Sequence, residues 1–234
     1  MRSLLLSCLL LAATAARASA VEIVQFTFNT ADGNAATGTL APSIGAGTLA
    51  IVGGPTTFFG FGSGSSDPAV GAENSAWGLG GFPSAVGDSG TVGWQLAAST
   101  VGYQAVTLEF DQKNQPSSGK FYEIQVRTTP VGPFVPVATY GIVAADVWEN
   151  QKSFNRSALL PATTNNPDFA VRVVGVVDPV TMQFVASEAG YNGQIPTLFD
   201  VIALRGDPVP EPAAAVLAVG VGAAWLGTRR RIRV

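Results

Sequence analysis

Short runs in which apolar and polar residues alternate, broken by Gly, Pro, Asn, Asp and Ser, fill the middle of this chain. In residues 22–28, Ile23, Gln25 and Thr27 alternate with Val24, Phe26 and Phe28. Residues 104–111 place Val106, Leu108 and Phe110 on one face. Residues 121–128 turn Tyr122, Ile124 and Val126 inward against Glu123, Gln125 and Arg127. Period-two alternation of this kind specifies a half-buried strand. Runs at 48–52, 91–99 (around Trp94 and Leu96), 134–140, 169–177, 182–187 and 199–205 read the same way. No stretch carries the 3.6-residue spacing of an amphipathic helix. The pattern predicts an all-β fold, an antiparallel sandwich of two packed sheets. Residues 51–90 are rich in Gly, Ser and Pro and have little periodicity. They predict long loops, including the segments 60–64 and 75–78.

The two ends follow different rules. Met1-Arg2 leads into an apolar run through Leu11, with Ala18 and Ala20 at the small-residue positions before Val21. That order describes a signal peptide over residues 1–20, cleaved after Ala20. The run is too short to span about 30 Å of hydrocarbon as a helix. At the other end Val209-Pro210-Glu211-Pro212 precedes an apolar segment, residues 213–227, and then Arg229, Arg230, Arg231 and Arg233. The pattern predicts one C-terminal transmembrane helix whose arginines stay in the cytoplasm. Residues 21–206 are left as the β-sandwich domain and 207–234 as the tail, with residues 207–210 a short stalk.

Composition narrows the chemistry. The chain has no histidine, which removes Ser-His-Asp and Cys-His catalysis and the usual zinc sites. Its one cysteine, Cys8, falls in the leader, so the sandwich has no thiol or disulfide. Of 13 basic residues, six lie in the two ends. Seven therefore face 16 acidic ones across the rest, a formal charge of −9 outside the membrane. Such a surface repels phosphate backbones, so no nucleic-acid partner is expected. No Gly-x-Ser-x-Gly elbow occurs, and the segment 117–120 lacks the upstream glycine of a phosphate loop.

The Pro210-Glu211-Pro212 motif, the apolar helix and the basic terminus together resemble the PEP-CTERM sorting signal of exported Gram-negative proteins. The same tail also goes under the description "ice-binding protein C-terminal" domain, which concerns the tail alone. The resemblance implies an exosortase-type membrane protease as partner, which cuts near the motif. It also implies an inner-membrane-anchored intermediate, then the cell surface or extracellular matrix. The order of elements from Gly102-Tyr103-Gln104 through Asp168-Phe169-Ala170 to Phe199-Asp200-Val201 resembles the jelly-roll modules of exported bacterial proteins. Those are related in shape to galactose-binding and carbohydrate-binding domains. The late Phe-Asp-Asn-Val sequence of such modules is present here without its Asn.

Candidate sites follow from residue type. Asp200, with Asp111 or Glu188, is a candidate calcium-ligand set, because calcium takes several clustered oxygens; no other cofactor is expected. Trp77, in a glycine-rich segment, is the candidate platform for a sugar ring, with Trp94, Trp148 and Tyr191 read mainly as core. Glu109 and Glu123 are the carboxylates a glycan-active enzyme would use. The expectation is a non-catalytic surface or matrix protein associated with exopolysaccharide. A carboxylate-pair glycosidase and a ligand-free structural protein are the alternatives.

Overall fold

The computed structural model describes residues 19–69, 71–155, 163–188 and 190–209. Ala18, Pro210, Glu211, Pro212, the apolar tail segment and Arg229, Arg230, Arg231 and Arg233 lie outside them. Among the described residues no helix is long and apolar enough to cross a membrane.

Twelve strands form among the described residues: β1 (Val21–Phe26), β2 (Ile44–Gly45), β3 (Thr48–Val52), β4 (Thr56–Phe61), β5 (Ser75–Gly80), β6 (Gly93–Ala97), β7 (Tyr103–Asn114), β8 (Phe121–Arg127), β9 (Val135–Gly141), β10 (Trp148–Asn155), β11 (Ala170–Val176) and β12 (Thr197–Pro208). They make two antiparallel sheets. The seven-stranded sheet runs β10-β7-β12-β1-β2, with β5 also on β12 and β4 on β5. The five-stranded sheet runs β3-β6-β11-β8-β9. The predicted two-sheet, all-β architecture is therefore present.

The alternating runs bury the faces they should. Tyr122, Ile124 and Val126 are buried, as are Val106, Leu108 and Phe110. Trp94 lies between the sheets with its ring edge-on to Phe110 at 5.7 Å and to Phe199 at 5.8 Å. Phe110 also stacks on Phe154 at 5.7 Å. A polar chain threads this apolar centre. The Tyr140 hydroxyl donates to Gln112 Oε1 (2.8 Å), and Gln112 Nε2 donates to Asn114 Oδ1 (2.9 Å). Asn114 Nδ2 donates to the Tyr122 hydroxyl (3.0 Å), which lies 2.6 Å from Thr197 Oγ1. The chain ties β7 and β12 of one sheet to β8 and β9 of the other.

Four elements depart from the sequence pattern. The expected loop over residues 51–90 contains β4 and β5. Every residue of β5 is buried on both faces, so Ser75–Gly80 has no polar side to alternate with. Its Gly78 admits the Phe58 ring, which a Cβ there would strike. β10 is mostly polar in sequence, yet it pairs with β7 as an edge strand. Residues 182–187, expected as a strand, contribute only an isolated bridge between Ala186 and Gly119. Finally, β12 continues past the expected end of the domain. Asp207 pairs with Gln104 and Pro208 with Tyr103, and the Val209 amide donates to the Gly102 carbonyl at 2.8 Å. Residues 207–209, expected as a stalk, belong to the sheet.

Candidate functional site

Residues directly paired across an antiparallel sheet point to the same face. On the outer face of the five-stranded sheet this aligns Ala50, Gln95, Arg172, Gln125 and Pro136 in one row over β3, β6, β11, β8 and β9. A second row holds Gly93, Val174, Glu123 and Thr139, and a third holds Thr48, Ala97, Ala170 and Arg127. With strands about 4.8 Å apart, the central row is roughly 19 Å long. Its three middle side chains, Gln95, Arg172 and Gln125, are planar and polar, a mixture of donors and acceptors. Gln125 Nε2 donates to Glu123 Oε1 at 2.8 Å, and Arg172 Nε donates to Gln95 Oε1 at 3.0 Å, so the row is held in place by its own members. A recess of about 360 Å³ opens at the Glu123 and Thr139 end, and one of about 530 Å³ at the Arg127 and Thr48 end.

Two arginines dominate the middle. The guanidinium of Arg172 lies 3.6 Å from the ring centre of Phe134, and that of Arg127 lies 4.9 Å from the same ring. The ring's negative face attracts both cations. Desolvation first, and the charge of Arg127 second, lower the Arg172 pKa from its ordinary value.

The outer face of the seven-stranded sheet holds a different group. Asp200 and Asp111 are paired across β12 and β7, and both are buried beneath the loop of residues 62–74. Asp111 accepts the Gln151 amide at 2.6 Å on Oδ1 and the Ser66 amide on Oδ2. Asp200 Oδ1 accepts the Val201 amide at 2.8 Å, but Oδ2 has no partner. Asn74 Oδ1, buried beside it, also has none. Both atoms crowd the α-carbon of Gly62. Burial pushes the Asp200 carboxyl up to about 8, and the charges of Asp67 and Asp111 act in the same direction. Hydrogen bonding from Ser65 and Val201 opposes them.

The sequence-derived sites fare unequally. Asp200 and Asp111 do meet, but Glu188 does not join them. It is exposed and accepts the Ala145 amide at 3.2 Å. Among the described residues no group of three or more acidic side chains that could hold a metal is present, and the Asp200–Asp111 pair is the part of the expected set that comes together. Asn74 and Asp67 complete the cluster instead; they come from a loop 126 or more positions away in sequence, and no local signal marks them. Trp77 is 1% exposed, packed against Phe28 at 5.9 Å. It is a core residue of β5 and no platform for a sugar. Among the described residues the aromatic side chains that do face solvent are Phe58 and Phe61, on β4. Trp148 and Tyr191 are half-buried, the latter donating to the Pro83 carbonyl at 2.6 Å. Glu109 and Glu123, the carboxylates of the glycosidase alternative, lie on different sheets, because the connection between β7 and β8 crosses the sandwich. Their side chains point away from each other, and Glu109 is engaged by Arg205 at 3.1 Å.

No family model matches the chain, and no curated protein matches it. Several solved structures are similar to it in outline. One contains the CBM22-1 and GH10 modules of endo-1,4-β-D-xylanase 10B from Clostridium thermocellum. It shares 10% identity over 79% of this chain and 28% of that one, with a TM-score of 0.45. The K1 cleaved adhesin domain of Lys-gingipain from Porphyromonas gingivalis W83 shares 12% identity over 81% of this chain and 99% of its own, with a TM-score of 0.42. The mannan-recognising carbohydrate-binding module TmCBM27 shares 14% over 81% and 99%, with a TM-score of 0.39. Likeness at this level does not specify a ligand.

Proposed function

We propose that this chain is an exported, non-catalytic protein of the bacterial surface or extracellular matrix. It associates with exopolysaccharide through the outer face of the five-stranded sheet. Its Pro210-Glu211-Pro212 tail is read by an exosortase-type protease, after an intermediate stage anchored in the inner membrane. The observation that carries the reading is the row of half-buried Gln95, Arg172 and Gln125, with Glu123 and Thr139 beside it, on the outer face of the five-stranded sheet. Amide, carboxylate and guanidinium groups gathered on one face suit the hydroxyls of a polysaccharide. The separation of Glu109 from Glu123 favours retention of such a ligand over its hydrolysis.

The test is retention of the full chain on immobilised polysaccharides, comparing wild type with Gln95→Ala/Gln125→Ala and with Phe58→Ala/Phe61→Ala. Loss of retention in the glutamine variant alone supports the assignment. Loss in the phenylalanine variant alone moves the contact to the other sheet, and failure of wild type to bind any polysaccharide removes the reading. For the tail, Glu211→Ala is expected to block processing and surface delivery. Unchanged processing in that variant would rule out the sorting role.

A further inference from the structure

Three arginines are described in the sandwich, and they are treated very differently. Arg205 is held by two carboxylates, Glu22 at 2.9 Å and Glu109 at 3.1 Å. Arg127 and Arg172 form no ion pair among the described residues, although acidic residues outnumber basic ones in this chain by 16 to 13. Arg127 Nε is buried with no hydrogen-bond partner. Arg172 uses Nε on Gln95, and among the described residues its two terminal nitrogens make no side-chain hydrogen bond or ion pair. Both guanidinia lean on the same ring, and neither is ion-paired among the described residues, although Asp168 lines the same recess as Arg127.

Two like charges brought together on one aromatic ring repel each other, and burial raises that cost. An anion seated between them relieves it. The guanidinium fork is suited to a carboxylate, which it binds through two parallel N–H···O bonds. The surroundings say what carries that carboxylate. Arg172 sits between Gln95 and Gln125 in a row of hydrogen-bonding side chains, with a recess of about 360 Å³ along one side of the row and one of about 530 Å³ along the other. A polymer with repeated hydroxyls and intermittent carboxylates complements both parts of the face. We propose that the ligand of this face is an acidic, uronate-bearing polysaccharide, whose carboxylates are held by the local positive pair of Arg127 and Arg172 against the net negative charge of the rest of the chain. The assignment rests on the polysaccharide reading above and narrows it to a chemical class.

The probe is polygalacturonate, compared with its methyl-esterified form, with the neutral polymers xylan and mannan, and with poly-glutamate. Affinity electrophoresis of the full chain reads the binding. Polygalacturonate is expected to bind best, and to weaken between 50 and 300 mM salt. Arg172→Gln is expected to lose about tenfold or more, the scale of one charge-assisted pair, and Arg127→Gln a comparable amount. Circular dichroism should stay unchanged in both, because each side chain lies on the outer face. Arg172→Lys keeps the charge without the fork and should recover only part of the loss. Equal binding of the esterified or neutral polymers, or undiminished binding by the Arg172→Gln/Arg127→Gln double variant, overturns the acidic class while leaving the polysaccharide reading intact. Poly-glutamate binding as tight as polygalacturonate overturns it as well, since charge alone would then suffice. Failure of every polymer to bind removes both readings.

Discussion

Asp200 and Asn74 each bring a buried side-chain oxygen to the space where a Cβ of Gly62 would lie, with the Ser65 hydroxyl as the side-chain donor acting on Asp200. Two acceptors in contact with one site need a proton or a cation between them. Protonation of Asp200 would add the donor that this acceptor-rich junction lacks. The raised pKa agrees, since burial has pushed the carboxyl up to about 8. This junction pins the loop of residues 62–74 onto the seven-stranded sheet.

Stability should fall as pH rises. The folded state keeps the Asp200 proton up to about pH 8, whereas an unfolded chain releases it near the ordinary value of 3.8. Between those limits the folded state binds more protons, so the contribution is full below about pH 4 and lost on passing pH 8. Its slope is at most about 1.4 kcal/mol per pH unit. Urea denaturation from pH 5 to pH 9 should show the decline, and Asp200→Asn, which carries its own N–H donor toward Asn74, should flatten it. A flat wild-type profile would remove the argument. Recovery on adding calcium at pH 9 would show a cation taking the proton's place.

Gly62→Ala should destabilise the fold by about 1–3 kcal/mol. The added Cβ would overlap Asn74 Oδ1 and lie 2.5 Å from Asp200 Oδ2. A melting temperature equal to wild type would mean that the loop is free to shift.

Tyr122→Phe should cost about 1–3 kcal/mol, because Asn114 and Thr197 lose a partner where water cannot replace it. Thr197→Val in the same background should add less than it costs alone, since the two hydroxyls share one bond. Additive losses in that double-mutant cycle would contradict the shared network.

Trp77→Ala should lower stability by about 3–5 kcal/mol, as the loss of a fully buried aromatic residue does. Any loss of polysaccharide retention in this variant should track the unfolded fraction measured by denaturation. Weakened binding by a fully folded Trp77→Ala protein would restore the platform reading that its burial excludes.

The strands most visible in the sequence are those with one wet face. β8 alternates cleanly because Glu123, Gln125 and Arg127 meet solvent while Tyr122, Ile124 and Val126 meet the core. β5 was hidden for the opposite reason: it is covered on both sides, and its glycines look like loop residues. The site was legible only in fragments. Gln125, Arg127 and Glu123 could be placed on an outer face, but nothing local revealed that Arg172, 45 positions beyond Arg127, would stand beside it. Asp200 and Asp111 were recognisable as a pair, whereas Asn74 joined them only because a distant loop folds over the sheet.

Sequence alone determined the architecture class, through period-two alternation in the exposed-face strands. It also determined the chemical exclusions, since the absence of histidine needs no coordinates. It carries the whole case for the sorting tail, whose motif lies outside the described residues. Only the tertiary structure decided which residues act together. It placed Glu109 and Glu123 on different sheets, buried Trp77, and brought Arg127 and Arg172 to one ring with no ion pair among the described residues. The reason is physical: alternation reports which way a side chain points along its own strand, while its neighbours are set by pairing between strands far apart in the chain.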